Sequence, residues 1–308
     1  MTTTLTFAEA VALATAWADR FARQHGCRAL VVKGSVLEAQ GLRGHHESVD
    51  VDLMVDPAEF DRFVALLAEA GWHAMAPVNS IGIMDKHSAT VLHEKWPITI
   101  DVHRFFPGFL ADPQTVFEAL WQRRTTATVA GVDVTTPDPV GHAAIAALHY
   151  LRHTSPGAIT NLVDPLAERT IVALGPEGLA ELSAFAGQTG SARTLALFLE
   201  KVGAPPAVDD PALAEAYRNW EMNSHAAPST GWLVGIGRQP VHKWPAVIWH
   251  ALFLTDEEIA EHYLLPEHLK PGDTIFRARM RRLTKGLKNA PGALVYLVRF
   301  NLTHRRKR

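Results

Sequence analysis

The sequence predicts an α+β chain: a small mixed sheet flanked by helices, followed by a mainly helical part. Three observations support this. Over roughly the first 105 residues, stretches with the apolar period of a helix alternate with stretches of period two. One strand-like stretch carries two carboxylates at alternate positions among aliphatic residues, and a second carries one. Beyond Pro137 the strand pattern stops, and helical periods punctuated by Gly and Pro take over. The change falls within residues 125–137 and divides the chain into residues 1–130 and 131–308.

Each element has a local reason. Phe7 to Gln24 has an amphipathic helical period and is closed by Gly26. "CRALVVKG" is a short β-rich run ended by glycine, and "SVLEAQGL" predicts a short helix starting near Ser35. "SVDVDLMV" alternates as a strand does, with Val49, Val51 and Leu53 facing a core. In "DPAEFDRFVALLAEAG", Asp56 is placed to cap a helix, Pro57 to occupy its first position and Gly71 to close it. "WHAMAPV", "SATVLHE" and "PITIDVHRF" predict three further strands, and "ATVAGVDVTTP" a hairpin turning at Ala130-Gly131. "DPVGHAAIAALHYLRH", "NLVDPLAERTIVALG", "PEGLAELSAFAGQTG" and "SARTLALFLEKVG" predict four successive helices.

Composition excludes several classes. With 308 residues, 47% of them hydrophobic and 20% charged, the chain can bury a large core. One cysteine, Cys27, excludes an internal disulfide framework and a four-cysteine zinc site. The N-terminal segment carries Glu9 and Asp19 and does not read as a secretory signal. No uncharged apolar run is long enough for a transmembrane helix. A cytoplasmic protein is the default expectation. From Thr274 onward there are eleven Lys/Arg and no Asp or Glu, so this tail is either a solvated helix face or a patch for phosphates, RNA or anionic lipid.

The chemistry is concentrated in two strands. Residues two apart on a strand point to the same side, so Asp50 and Asp52 share a face. Two like charges so close repel each other. A hard divalent cation with oxygen ligands removes that penalty. Asp101 repeats the pattern on the later strand, between Ile100 and Val102. If the two strands are neighbours, three carboxylates converge, the arrangement used for in-line phosphoryl or nucleotidyl displacement. His103 lies on the same strand face as Asp101. Gly34-Ser35 stands at a strand-to-helix transition, where glycine allows close backbone approach and free N–H groups attract phosphate. Lys33 adds a positive charge beside it.

These residues meet a known pattern. Gly34-Ser35, a fourteen-residue spacer, Asp50-Val51-Asp52 and then Asp101 on a later strand resemble the DNA polymerase β-like nucleotidyltransferase superfamily. More narrowly, "VVKGSVL", "VDVDLMV", "LLAEAGW" and "ITIDVHRFF" are similar to the bacterial uncharacterised nucleotidyltransferase family, most strongly over residues 31–106. That family usually has an arginine four residues before the first aspartate; here His46 stands there, and Arg43 lies three residues earlier. The resemblance implies a polymerase β-like catalytic domain over residues 1–130 and a mainly helical domain with a basic tail over 131–308. It implies that Asp50 and Asp52 hold Mg²⁺, with Mn²⁺ as the alternative, and that Asp101 completes the metal site and helps activate the acceptor hydroxyl. Gly34 and Ser35 would grip the phosphates of ATP or another NTP, with Lys33 neutralising charge and His103 and Arg43 as further candidates. The reaction implied moves a nucleoside monophosphate from an NTP to an acceptor, with pyrophosphate leaving. A small molecule or peptide is the favoured acceptor. The alternatives are a toxin-like enzyme acting on tRNA, motivated by the basic tail, and a non-catalytic nucleotide-binding module.

Overall fold

Residues 5–75, 87–152, 159–225, 239–256, 259 and 274–305 are described by the structure, a computed structural model. Helix α1 (Phe7–Gln24) starts at a reciprocal cap, in which the Thr6 hydroxyl accepts from the Glu9 amide and the Glu9 carboxylate accepts from the Thr6 amide. Small residues line its buried face: Ala10, Ala14, Ala18 and Ala22 let the helix lie close on the sheet.

Five strands form that sheet: β1 (Ala29–Val32), β2 (Asp50–Val55), β3 (His73–Ala74), β4 (Ser88–Leu92) and β5 (Thr99–His103). Their order is β1-β2-β5-β4-β3. Strands β2 and β5 run parallel, and the other pairs are antiparallel, so the sheet is mixed as the sequence predicts. The expected hairpin is also present, as β6 (Arg124–Val129) and β7 (Val132–Pro137), and the Thr136 hydroxyl donates to the Val31 carbonyl of β1.

Helices cover both faces of the sheet. On one face Val31, Val51, Leu53, Val55, Ile100 and Val102 pack with α1 and with α3 (Phe60–Glu69). On the other, Leu30, Val32 and Met54 pack against Leu37 of α2 (Gly34–Ala39) and against a helical layer. That layer consists of α4 (Pro113–Gln122), α5 (Pro139–Leu151), α6 (Asp164–Gln188) and α7 (Ala196–Val202). Burying each large aliphatic side chain contributes about 1.5–3 kcal/mol, which together offsets seating charged groups on the second face.

Several details depart from the sequence reading. Helix α3 begins at Phe60, not at Pro57, because the Asp56 carboxylate is engaged by Arg28 and the Ala58 amide and opens a turn instead. Val49 is exposed, since β2 starts only at Asp50. Of "WHAMAPV", only His73-Ala74 is paired, and residues 76–78 lie outside the described residues. The two helices expected on either side of Gly175-Pro176, by contrast, are present, joined within α6 by a kink at Gly175, whose φ of 59° and ψ of −177° are not helical. Helix α4, capped by Asp112, was not anticipated.

The chain divides into two compact units. One comprises residues 1–74 and 87–224 and contains the sheet and helices α1 to α7. The other comprises residues 75–86 and 225–308 and contains α9 (Trp244–Leu252) and α10 (Ile275–Arg305). Helix α8 (Ala214–His225) reaches the end of the first unit. In the second, Arg279 of α10 binds the Asp256 carboxylate at 2.6 Å and donates to the Leu254 carbonyl at 2.9 Å. Among the described residues, no helix is long and apolar enough to cross a membrane.

Candidate active site and metal centre

Parallel pairing of β2 with β5 places Asp50 opposite Thr99, Asp52 opposite Asp101 and Met54 opposite His103. In-register partners project to the same face, so the two carboxylate-bearing strands meet as their alternation requires. Ligand-capable atoms of Asp52, Asp101 and His103 all lie within 4.8 Å of one another. Asp50 precedes them on the same face of β2 and is not part of that tight group.

Asp52 is the centre of the cluster. It is only 6% exposed, and its Oδ1 takes the Lys33 ammonium at 2.6 Å and the His103 Nε2–H at 2.9 Å. Burial pushes its pKa up, but the His103 hydrogen bond and the Lys33 charge outweigh burial and hold it below the usual carboxylate range. Asp50 behaves oppositely. Burial first, and then the Asp52 charge, push its pKa up to about 6, with Lys33 opposing. Two carboxylates on one strand face are thus driven apart in acidity by what each one touches.

The donor set fits a divalent cation. Two carboxylates and an imidazole converge from neighbouring strands, and the His103 Nδ1 is buried without a hydrogen-bond partner among the described residues.

Beside the carboxylates lies the Lys33-Gly34 turn. Lys33 has φ 62° and ψ −143°, a region that side chains normally avoid, and Gly34 follows at φ 54°. No side chain caps α2, so its first amides have no partner within the helix. With six residues, α2 adds little dipole of its own, and any grip on an anion comes from the turn's amides. Ser35 is exposed. Arg43 braces the turn by donating from Nη2 to the Gly34 carbonyl at 2.7 Å. His46 is tied differently, with its backbone amide donating to Glu38 at 2.8 Å.

A cavity of about 530 Å³ opens over this turn. Lys33, Gly34, Arg43, Asp50 and Asp52 line it, whereas Ser35, Asp101 and His103 do not. Its far wall comes from α5, from a π-helical turn at Ile159–Val163 and from α6, through His149, Tyr150, Asn161 and Arg169. A side chain at Gly44 would stand 3.1 Å from the Arg169 guanidinium, so glycine there leaves room for the arginine.

The sequence reading missed His142 and Gln40. His142 is fully buried in α5; its Nε2 lies 2.6 Å from the Lys33 amide and its Nδ1 2.8 Å from the Gln40 Oε1. A lone histidine in "VGHAAIAAL" carries no local sign of such a contact.

No curated protein matches the chain. Among solved structures, the antibiotic-resistance factor ANT(2'')-Ia is 14% identical, with 62% of this chain and 94% of that one covered at a TM-score of 0.39. An antigenic nucleotidyltransferase-like protein from Paracoccidioides brasiliensis is 12% identical, covering 67% of this chain and 96% of that one at 0.37. A tRNA-processing enzyme complex is 13% identical at 0.27, covering 88% of this chain and 86% of that one. Scores this low add nothing to the argument. The family match is of another order, since it takes in the α1 helix, all five strands with their three aspartates, the Lys33-Gly34 turn and α5. Matching over residues 8–167, more than half its length, the chain belongs to the uncharacterised nucleotidyltransferase family.

Proposed function

We propose that the protein transfers a nucleoside monophosphate from an NTP, such as ATP, to an acceptor, with pyrophosphate leaving. The observation that carries this reading is the pairing of Asp52 with Asp101 across β2 and β5, with Lys33 drawn onto Asp52. An acceptor oxygen attacks the α-phosphorus, the bond to the bridging oxygen of the β-phosphate breaks, and the electron pair leaves with pyrophosphate. Asp50, Asp52 and Asp101, with His103 beside them, would hold Mg²⁺ or Mn²⁺. When bound, such a cation neutralises charge on the triphosphate and on the departing pyrophosphate. The Lys33 ammonium, which balances Asp52 in the free protein, is placed to turn to a phosphate. Gly34 and Ser35 offer backbone N–H groups and a hydroxyl to the β- and γ-phosphates, and Arg43 keeps the turn in place. Asp101 is assigned to accept the proton of the acceptor hydroxyl.

Residues 1–130 then form the catalytic domain, and the acceptor side is supplied by α5 and α6 of the following helical part. A cavity of about 530 Å³ walled by Tyr150, Leu162 and Leu166 suits a small molecule or the end of a peptide. A second reading, with RNA as acceptor, is supported by α10 and its flanks, where eleven Lys/Arg occur with no acidic residue from Thr274 onward.

The test incubates the protein with each NTP labelled at the α-phosphate, with Mg²⁺ or Mn²⁺ and a cell extract. Label is expected on an acceptor, with pyrophosphate released, and Asp52→Asn and Asp101→Asn should abolish transfer while the proteins stay folded. Full transfer by both variants would remove the assignment.

A further inference from the structure

We propose that His142 is a positioning residue: a neutral imidazole that clamps the strained Lys33 turn so that the Lys33 ammonium reaches Asp52. The catalytic consequence rests on the nucleotidyltransferase reading; the clamp itself does not.

A chain of hydrogen bonds determines which way every group points. The Pro137 carbonyl can only accept, and it takes the Gln40 Nε2–H at 2.8 Å. The other end of that amide, Oε1, therefore faces the His142 Nδ1 at 2.8 Å, which must carry the ring proton. The Nε2 of His142 is then a bare lone pair. It faces the Lys33 backbone N–H, a group that can only donate, at 2.6 Å. Starting from Lys33 instead gives the same tautomer. A protonated imidazole would place two N–H groups against each other, and the opposite tautomer would break both contacts at once.

The clamp has something to hold. Lys33 is one of two non-glycine residues at positive φ among the described residues, and its ψ of −143° puts it where glycine is the usual occupant. Such a conformation persists only when its surroundings over-determine it. Here His142 fixes the Lys33 amide from α5, and Arg43 fixes the next carbonyl, that of Gly34. With the backbone so turned, the side chain leaves in the direction of Asp52 and closes the 2.6 Å ion pair. The same turn opens α2, whose first amides have no side-chain cap. One buried ring on a helix thus governs both the cation beside the carboxylates and the amides beside the cavity, without touching either carboxylate.

Three measurements on the full chain test this. The first is ¹⁵N NMR of histidine-labelled protein: His142 is expected as the neutral Nδ1–H tautomer. The second is hydrogen exchange at the Lys33 amide. His142→Leu leaves that amide without its acceptor, and exchange should accelerate about tenfold or more; His142→Gln, which restores an acceptor oxygen at similar reach, should recover most of the protection. The third is NTP turnover, where His142→Leu should raise KM for the NTP about tenfold with a smaller change in kcat, and His142→Gln should return towards wild type. An Nε2–H tautomer, or wild-type exchange at Lys33 in His142→Leu, overturns the clamp. Wild-type KM in His142→Leu, with Lys33 deprotected, overturns its catalytic role. A wild-type protein that transfers no nucleotide removes the functional reading instead, while the first two measurements still decide the clamp.

Discussion

His142, Asp50 and Asp52 respond to acid in different directions. Burial, with the Arg43 and Lys33 charges adding to it, pulls the His142 pKa down to about 3, whereas an unfolded histidine takes its proton near ~6.5. Between those values the unfolded chain binds the extra proton, so this residue makes stability fall as pH drops. Asp50 does the reverse: with a folded pKa of about 6 against ~3.9 unfolded, the folded state binds the proton first, and stability rises as pH drops through that interval. The two offset each other between about pH 4 and 6. Asp52, held low, loses its contribution only below ~3.9. Urea midpoints across this range should therefore change little in the wild type. In His142→Gln the unfolding free energy should climb on acidification, and in Asp50→Asn it should drop, each by at most about 1.4 kcal/mol per pH unit. Parallel curves for all three proteins would contradict both assignments. The Lys33–Asp52 pair is equally accessible to a double-mutant cycle. Both side chains are largely buried, so Lys33→Met and Asp52→Asn should show a coupling of about 1–3 kcal/mol in unfolding experiments.

The Asp-Pro step shows what a helix signal can and cannot carry. Asp112-Pro113 opens α4 and Asp138-Pro139 opens α5, each with the aspartate accepting from amides of the first turn. At Asp56-Pro57 the same pair opens only a turn. There the carboxylate is drawn to Arg28, which also binds Glu118 of α4 at 2.6 Å and so joins the ends of β1 and β2 to that helix. The local pattern was legible; the competing guanidinium, distant in sequence, was not. Arg28→Met should cost about 1–3 kcal/mol, a range that allows for the partial exposure of the arginine, and should leave the urea m-value unchanged. Helix α6 offers a second test. Gly175 takes a conformation that glycine alone adopts freely, so Gly175→Ala should lower stability by about 1–3 kcal/mol, again read from the urea midpoint.

At the scale of the molecule, the periods of helix and strand were enough to foresee a mixed sheet followed by helices, because alternation and helical spacing are local properties. Which strands would be neighbours was a conditional statement, and the pairing of β2 with β5 meets the condition. The site was legible where its residues sit on regular strands, as Asp50, Asp52 and Asp101 do. It was illegible where a contact closes over a long loop: His142 and Lys33 are 109 positions apart, and nothing near either one signals the other. The basic stretch after Thr274 remains a separate matter of charge. If it binds RNA, Lys285→Glu with Lys288→Glu should weaken binding and reduce the salt slope by about 1.4–1.8, the share of two phosphate contacts. Indifference of the wild type to RNA at low salt would retire that alternative. The parallel junction of β2 and β5 also polices its own alignment. A slip of one position would swing Asp52 into the aliphatic layer beneath α1 and leave Val51 facing the cavity, so a misaligned chain could not settle. The aspartates of β2 thus also serve as a registration mark for the sheet.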